Sequence, residues 1–274
     1  MFISSLRERL GKRGKLPSKR TEPPAPPVTS GPEFVLKATG VCPVCEQATE
    51  FKSENPWLRD YFICVKCGSI PRERALAAVL SELRPNWRDL EIHESSPSSR
   101  VSARLARECG TYTATQYDLS TPFGTMSPDG GYRSEDLEAQ TFADASFDLV
   151  ITQDVFEHIF HPDRAAREIA RTLRPGGLHI FTVPLVRKAQ ASGRRATISP
   201  DGAITHLLPA EYHQNPIDAS GSLVTVDWGY DIAGHILNWS GMVTTIYSID
   251  DLSRGIRAEF NEVLVSSKLM VAEL

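Results

Sequence analysis

Two Cys-x-x-Cys pairs constrain the fold of this chain more than any other feature of its sequence. Cys42 and Cys45 form the first pair, and Cys64 and Cys67 form the second after 18 intervening residues. Each pair can turn two sulfurs toward one point, and two pairs at this separation are typical of a tetrahedral four-thiolate zinc site. The spacing therefore predicts a small zinc ribbon over residues 38–70.

The predicted zinc has a structural role, because a segment of about thirty residues is too small to fold on an apolar core alone. Free or redox thiols are the alternative, but redox pairs usually occur singly at a helix start. Between the pairs, Trp57, Arg59, Tyr61 and Phe62 either pack against the rest of the chain or contact a substrate or partner. Cys109 lies outside the cluster and is predicted to be a small core residue.

Charge is distributed unevenly along the 274 residues. The formal net charge is -4, yet residues 1–20 contain seven Lys or Arg and a single Glu, so the remainder is clearly acidic. An acidic body weighs against a broad nucleic-acid surface, which needs clustered Lys and Arg. With 41% hydrophobic residues, the chain can bury the core of one large domain together with a small module.

The first 37 residues are predicted to be a disordered basic tail and linker. Prolines dominate residues 21–32 and prevent helix or sheet there. The N-terminus lacks the apolar segment of a secretory signal, and no stretch reaches the roughly 18 apolar residues of a membrane helix. These features, with cysteines in metal-binding rather than disulfide patterns, predict a cytoplasmic protein without a membrane span.

Strands and helices are predicted to alternate after the cysteine segment. A helix begins at Pro71, with Leu76, Val79, Leu80 and Leu83 on its apolar face. The strands and helices that follow are predicted at 90–93, 98–108, 111–115, 148–152, 163–173 and 178–183. Such alternation predicts an α/β fold, in which a parallel sheet carries helices on both faces.

A series of short patterns between residues 88 and 184 is the most specific feature of the sequence. In chain order these are Glu135-Asp136-Leu137, Ser146-Phe147-Asp148, Glu157-His158, Leu173-Arg174-Pro175-Gly176-Gly177 and Phe181-Thr182-Val183-Pro184. The series resembles the class I S-adenosylmethionine-dependent methyltransferases with a domain of the methyltransferase type 11 kind. The resemblance implies a Rossmann-like, seven-stranded, mostly parallel sheet with helices on both faces, preceded here by the zinc ribbon.

The same resemblance assigns residues to the cofactor, since ligands of open α/β sheets bind beyond the carboxyl ends of the strands. Asp136 and the backbone of Leu137 would contact the adenine. Gln153 and Asp154 would face the methionine and the transferred methyl group. Asp118 would accept hydrogen bonds from both ribose hydroxyls, although a helix cap or turn is the alternative role for this residue.

The loop after the first strand of this sheet departs from the family pattern. The family has an acidic residue followed by Gly-x-Gly-x-Gly, whereas residues 90–99 contain no glycine. Glu91 keeps the acidic position, and His93, Ser95 and Pro97 replace the glycines. Serine hydroxyls and helix-start amides are predicted to hold the methionine end, with Ser95 beside it. Zinc-ribbon proteins that resemble methyltransferases share such a glycine-poor loop and a basic segment like residues 72–74.

Candidate catalytic residues are His158, His213 and Asp154, with His206 as a further histidine. Asp154, Glu157 and His158 resemble the acidic-x-x-Glu-His cluster in which some quinone-pathway O-methyltransferases hold a divalent ion. The alternative for His158 is a histidine packed behind the sheet.

An insertion over residues 186–226 carries His206 and His213 and is predicted either to form an ordered lid over the acceptor or to be a surface loop. After it, a helix over 227–240 and strands at 242–249 and 261–269 are expected to complete the sheet, with the last strand antiparallel. The methyltransferase domain would span 71–274.

The combined prediction is a methyltransferase for a small-molecule or sugar-type acceptor. An RNA methyltransferase that uses the ribbon to bind RNA and a degenerate cofactor-binding scaffold are the alternatives.

Overall fold

The computed structural model describes residues 34–215 and 219–270. Most of the predicted tail and linker, up to residue 33, lies outside the described residues. The linker was predicted to extend to residue 37, but strand β1 already begins at Leu36. From Phe34 onward the chain packs as one unit, so the cysteine segment and the large sheet share contacts.

The cysteine segment folds as a three-stranded antiparallel sheet. Strands β1 (Leu36–Val41) and β2 (Ala48–Ser53) form a hairpin, and the short β3 (Ile63–Cys64) pairs with β2. One helical turn, α1 (Leu58–Tyr61), connects β2 to β3. This order brings the first cysteine pair, between β1 and β2, beside the second pair, at the end of β3.

A second, seven-stranded sheet confirms the predicted fold class. Its strands in chain order are β4 (Ile92–Ser95), β5 (Tyr112–Gln116), β6 (Arg133–Ser134), β7 (Phe147–Gln153), β8 (Leu173–Thr182), β15 (Val243–Tyr247) and β16 (Val263–Ser267). Across the sheet the order is β15-β16-β8-β7-β4-β5-β6. Only β16 runs against the others, so the predicted antiparallel last strand is confirmed.

Four helices flank this sheet: α2 (Pro71–Leu83), α3 (Arg100–Glu108), α4 (Pro162–Thr172) and α5 (Ile232–Ser240). The first three agree with the predicted helices to within about two residues. Helix α5 begins five residues later than predicted. The reason is that Val226 and Asp227, which were expected near its start, pair with another strand.

Buried side chains form a core on each face of the sheet. On one face, Leu149 and Ile151 of β7 pack with α2 and with the ribbon residues Phe51 and Phe62. On the other face, Val150 of β7 packs with α4, α5 and part of the insertion. The alternation along β7 follows from the two-residue period of a strand that is buried on both faces.

The Leu-Arg-Pro-Gly-Gly pattern forms the first five residues of β8, directly after α4. Leu173 ends the helix in an extended conformation, and Gly176 has φ +78°, a left-handed backbone that favours glycine. The strand then continues directly into the centre of the sheet.

The described part of the insertion contains three pairs of short antiparallel strands, each called a ladder below. Strand β9 (Gly193–Arg194) pairs with β14 (Val226–Asp227), β10 (Ala196–Ile198) with β11 (Ile204–His206), and β12 (Tyr212–His213) with β13 (Ser222–Leu223). None of the helices within the described ranges has the length and apolar character to cross a membrane.

The guanidinium of Arg74 joins the ribbon to the sheet. Arg74 is fully buried on α2 and donates hydrogen bonds to the carbonyl oxygens of Ser69, Phe62 (2.6 Å) and Gly255 (2.7 Å and 3.0 Å). Its guanidinium also lies 4.9 Å from the ring centroid of Phe51. Gly255 tolerates this crowding because it has no side chain, since a Cβ there would come within 2.4 Å of the Phe51 ring.

We predict that Arg74→Met lowers the free energy of unfolding by about 3 kcal/mol or more, because it leaves buried carbonyl oxygens without a charged donor. Urea unfolding of the zinc-loaded protein measures this difference. Arg107→Met is the control, since the Arg107 side chain is 67% exposed and its replacement should change stability by less than about 0.5 kcal/mol. Equal losses in the two variants would contradict the assigned role of Arg74.

Candidate functional site

The four predicted zinc ligands come together in the ribbon. Candidate ligand atoms of Cys42, Cys45, Cys64 and Cys67 all lie within 4.8 Å of one another. The Cys42 and Cys67 sulfurs are 3.8 Å apart, which is the separation of about 3.8 Å expected for two thiolates at 2.3 Å from a tetrahedral zinc ion. Cys109 is buried away from this cluster, and its thiol donates to the carbonyl oxygen of Leu90 at 3.3 Å, as expected for a core residue.

A cleft of about 1150 Å³ lies beyond the carboxyl ends of β4, β5 and β7. The loops after these strands form its floor. The ribbon contributes Trp57 and Arg59 to one wall, and the insertion contributes Ile198 and His213 to another. Phe62 of the ribbon is instead buried in the core, so this residue packs against the rest of the chain.

The glycine-free loop presents serines to this cleft. Ser95, Ser96, Ser98 and Ser99 line it, whereas Pro97 does not. Ser96 adopts φ +57°, a left-handed conformation that favours glycine. Ser99 is the N-cap of α3, and its hydroxyl accepts from the Ser102 amide at 3.0 Å.

His93 does not obstruct the cleft, because it points into the core. It is fully buried, its Nε2 lies 2.9 Å from the Thr115 hydroxyl, and its ring centroid is 5.1 Å from those of Phe142 and Phe147. Burial, and then the charge of Arg133, lowers the pKa of His93 to about 3, so the imidazole is neutral.

The structure corrects the position of the acidic residue of the first strand. Strand β4 begins at Ile92, two residues later than predicted, so Glu91 lies at the amino end of the sheet and away from the cleft. The buried acid at the carboxyl end is Glu94, which was not predicted. Its carboxylate accepts hydrogen bonds of 2.7 Å from Ser102, Tyr112 and Gln153.

Gln153 is held in place by this network. Its amide nitrogen donates to Glu94 and also to the Ser99 hydroxyl, at 2.9 Å. Gln153 lines the cleft at the end of β7, where it was predicted. Glu94 therefore acts as a positioning residue for the floor of the cleft.

Asp136 and Leu137 also line the cleft, in the loop after β6. Oδ1 of Asp136 accepts from the Glu138 amide at 2.8 Å, which fixes the carboxylate at the start of a turn. Leu137 is 8% exposed and packs with the core below. Both residues therefore line the cleft, and their contact with adenine stays a prediction.

Asp118 takes the alternative role of a turn residue. Its carboxylate accepts hydrogen bonds from the hydroxyls of Ser120, Thr121 and Tyr132, at 2.6 Å, 2.8 Å and 2.9 Å. These bonds hold the pKa of Asp118 below its usual value. The carboxylate is thus directed into its own loop, and Tyr117 rather than Asp118 lines the cleft after β5.

Asp154 is paired with two arginines, which argues against its predicted catalytic role. Its Oδ2 lies 2.9 Å from Nη2 of Arg59 and 3.1 Å from Nε of Arg72, and its Oδ1 accepts from the Thr182 hydroxyl at 2.9 Å. Burial alone would raise the pKa of Asp154, but these two guanidiniums lower it below the usual value. A carboxylate so paired is a poor proton acceptor, and it links the ribbon to the end of β7.

His158 and His213 meet in the lining of the cleft. Their rings are perpendicular, with centroids 5.0 Å apart, although one follows β7 and the other belongs to the insertion. Glu157 lies behind them and is 2% exposed. Burial, and then the charge of Asp154, raises the pKa of Glu157 well above its usual value. His206 is exposed on β11 and does not line the cleft.

This arrangement differs from the Asp154-Glu157-His158 cluster of the resemblance, because Asp154 turns to the ribbon and His213 joins the other two residues. Glu94 was not considered as a site residue; Arg59 was considered only as a packing or contact residue of the ribbon, and Glu157 only as a member of the resembled cluster. The basic segment after the last cysteine was the sequence signal that pointed to Arg72. Glu94 could be assigned to the cleft floor only once the residue at which β4 begins was known.

Comparisons with known proteins find one family model and several solved structures to which this chain is similar. Residues 96–181 match the family model described as a methyltransferase domain, and this range runs from the loop before α3 through β5, β6, β7 and α4 to Phe181 in β8. A methyltransferase from Mesorhizobium loti, described as S-adenosylmethionine dependent, is 18% identical; the match covers 71% of this chain and 97% of that chain, with a TM-score of 0.46.

Two further structures are similarly distant. A putative S-adenosylmethionine dependent methyltransferase from Listeria monocytogenes is 14% identical, with coverage of 71% and 98% and a TM-score of 0.44. The 1,6-didemethyltoxoflavin-N1-methyltransferase from Burkholderia thailandensis, solved with S-adenosylhomocysteine, is 14% identical, with coverage of 72% and 78% and a TM-score of 0.43. These likenesses are too distant to assign a reaction to this chain. Residues 96–181, which match the methyltransferase domain model, contribute β5, β6, β7 and most of β8 to the seven-stranded sheet.

Proposed function

We propose that this chain is an S-adenosylmethionine-dependent methyltransferase that acts on a small-molecule or sugar-type acceptor. The observation that carries the proposal is the serine-lined loop at the carboxyl end of β4. With Ser96 in a left-handed conformation and His93 turned into the core, the loop leaves open the space that glycines usually provide.

The cofactor fits the polar groups of the cleft floor. Ser95 and the amides at the start of α3 would hold the methionine carboxylate, because a helix N-terminus favours an anion. Gln153 would contact the same end of the cofactor. Asp136 would accept from the exocyclic amine of adenine, with the Leu137 backbone beside the ring. Asp118 is not included, since its carboxylate is already engaged in its own loop.

S-adenosylmethionine supplies a methyl group on a sulfonium, so the protein contributes mainly positioning and exclusion of water. The ladder of β12 and β13 supports this role, since it brings His213 and Leu223 to the cleft. The insertion is fastened there by Thr225, whose amide donates to the carbonyl oxygen of Glu157 at 2.7 Å. The acceptor would bind in the part of the cleft that His158 and His213 line.

Size and charge favour a small acceptor over RNA. The cleft volume of about 1150 Å³ exceeds the roughly 300–1,000 Å³ of pockets for one drug-sized ligand, which leaves room for a cofactor with a small acceptor. Seven acidic residues line it: Asp60, Glu73, Glu135, Asp136, Glu138, Asp154 and Glu211. The lining has three arginines, and two of them, Arg59 and Arg72, are already paired with carboxylates. The excess of acidic groups disfavours a polyanion in this cleft.

The ribbon is proposed to bind structural zinc. Its ligand spacing fits a four-thiolate site, and its position beside the cleft gives the metal an indirect role, because the ribbon carries Arg59 to Asp154. A cytoplasmic location stays a prediction from the sequence.

We predict one zinc ion bound at the four ribbon cysteines. Metal analysis of the purified protein measures the zinc content, and Cys64→Ser combined with Cys67→Ser should remove that ion and unfold the ribbon. Cys109→Ser is the matched control and should retain the zinc. Zinc that survives in the double variant would exclude this site.

We predict that Asp136→Ala weakens binding of S-adenosylhomocysteine about ten- to a hundredfold, since it removes a charge-assisted hydrogen bond worth about 1.5–3 kcal/mol. Calorimetric titration measures the affinity. Glu91→Ala should bind as wild type does, because Glu91 lies at the other end of β4. A loss of affinity in Glu91→Ala but not in Asp136→Ala would contradict this assignment and would place Glu91 at the cofactor, as first predicted from the sequence.

The backbone of Ser96 gives a separate prediction about the loop. Ser96→Gly should preserve both stability and S-adenosylhomocysteine affinity, since glycine adopts φ +57° freely. Ser96→Val should lower the free energy of unfolding by about 1–2 kcal/mol and weaken the affinity, because a β-branched residue disfavours this conformation. Urea unfolding and calorimetry compare the two. A valine variant equal to the glycine variant would show that the loop conformation does not matter.

A further inference from the structure

Glu157 is a buried acid without a hydrogen-bond partner. Its side chain is about 3% exposed, and neither Oε1 nor Oε2 has a partner among the described residues. An ionised carboxylate in such a place costs several kcal/mol unless a cation compensates it. Among the described residues, the basic side chains within ion-pair distance of it are His158 and His213.

The distances around Glu157 suit a shared ion rather than direct hydrogen bonds. Its Oε1 lies 3.7 Å from Nε2 of His158 and 3.8 Å from Nδ1 of His213, both too long for a hydrogen bond. Candidate ligand atoms of the three residues all lie within 4.8 Å of one another. Nitrogen and oxygen ligands at about 2.1 Å from a tetrahedral ion are about 3.4 Å apart, so small side-chain movements would close the site.

The tautomer of His158 supports a ligand role. Its Nδ1 lies 2.9 Å from the carbonyl oxygen of Leu223, and a carbonyl can only accept, so Nδ1 carries the hydrogen. The Nε2 that faces Glu157 therefore has a lone pair available to a metal. Metal-binding histidines commonly donate their other ring N–H to a backbone carbonyl in this way.

The third ligand is held by the same ladder. His213 pairs with Ser222 across β12 and β13, next to Leu223, so the residue that orients His158 and the residue that completes the cluster belong to one hairpin. Nε2 of His213 is 3.7 Å from Oε1 of Glu211, which places a second carboxylate behind this imidazole.

We infer that Glu157, His158 and His213 bind one divalent first-row transition-metal ion. Two imidazoles and one carboxylate favour ions such as Zn²⁺, Fe²⁺, Co²⁺ or Ni²⁺ over Mg²⁺ and Ca²⁺, which prefer oxygen ligands. Asp154 is not a ligand, because its carboxylate is taken up by Arg59 and Arg72.

Three protein ligands leave at least one coordination position open. Both histidines line the cleft, so that position faces the space assigned to the acceptor. The metal would hold an acceptor that presents an oxygen donor, and this last step, unlike metal binding itself, rests on the proposed function.

The test titrates Co²⁺ into the full chain with its ribbon zinc retained, after a mild chelator has removed weakly bound ions. We expect one saturable Co²⁺ per chain, with d–d absorption bands and without the thiolate charge-transfer band that replacement of the ribbon zinc would produce. Glu157→Gln and His213→Ala should each weaken Co²⁺ binding at least tenfold. His206→Ala, on the neighbouring ladder, is the matched control and should bind as wild type does.

Thermal unfolding gives a second readout that does not require the binding spectrum. Added Co²⁺ should raise the unfolding midpoint of the wild type and of His206→Ala, but not that of Glu157→Gln, because an ion that binds the folded state stabilises it. The inference is overturned if the wild type binds no Co²⁺ beyond the ribbon site, if His213→Ala binds it as tightly as wild type, or if His206→Ala loses it. Titration of S-adenosylhomocysteine without added metal tests the proposed function separately.

Discussion

The hydrogen bonds of Arg74 are the interaction on which the arrangement of this molecule depends. A buried guanidinium must satisfy its donors, and here they reach two carbonyl oxygens in the ribbon, at Phe62 and Ser69, and one at Gly255 near the end of the chain. Because these acceptors come from distant segments, the cation is satisfied only when ribbon, α2 and the C-terminal region are assembled together. The ribbon is therefore a part of the core and not an appended module.

From this junction the ribbon extends to the cleft. Arg59 on the helical turn α1 and Arg72 at the start of α2 both pair with Asp154, which follows β7 in a left-handed conformation. A zinc ion that orders the ribbon would in this way also order the end of a central strand. This connection gives a physical reason for a ribbon beside the sheet. The ribbon brings the positive charge of Arg59 to the carboxylate of Asp154 at the end of β7.

Periodicity and turn residues in the sequence predicted the alternating strands and most helix bounds, and the family resemblance implied the seven-stranded sheet with its antiparallel last strand. The register of β4 was not predictable in this way, because Leu90-Glu91-Ile92-His93 alternates like a half-buried strand. In fact β4 is buried on both faces, and His93 and Glu94 are accommodated by Thr115, Ser102, Tyr112 and Gln153, which lie far along the chain. The pairing of His213 with Glu157 likewise depends on how a long insertion folds back, which no local pattern specifies. Asp118 stands where the family pattern has its ribose-binding acid, but the hydroxyls of Ser120, Thr121 and Tyr132 donate hydrogen bonds to its carboxylate.

The central claim is that the cleft beside the glycine-free loop binds S-adenosylmethionine beyond the carboxyl ends of the strands. A crystal structure of the zinc-loaded protein with a saturating concentration of S-adenosylhomocysteine tests it most directly. The account predicts ligand density across the carboxyl ends of β4, β5 and β7, with the adenine beside Leu137 and the methionine end beside Ser95. An empty cleft under these conditions, or density only at another site, would contradict the account and favour a scaffold that has lost its cofactor.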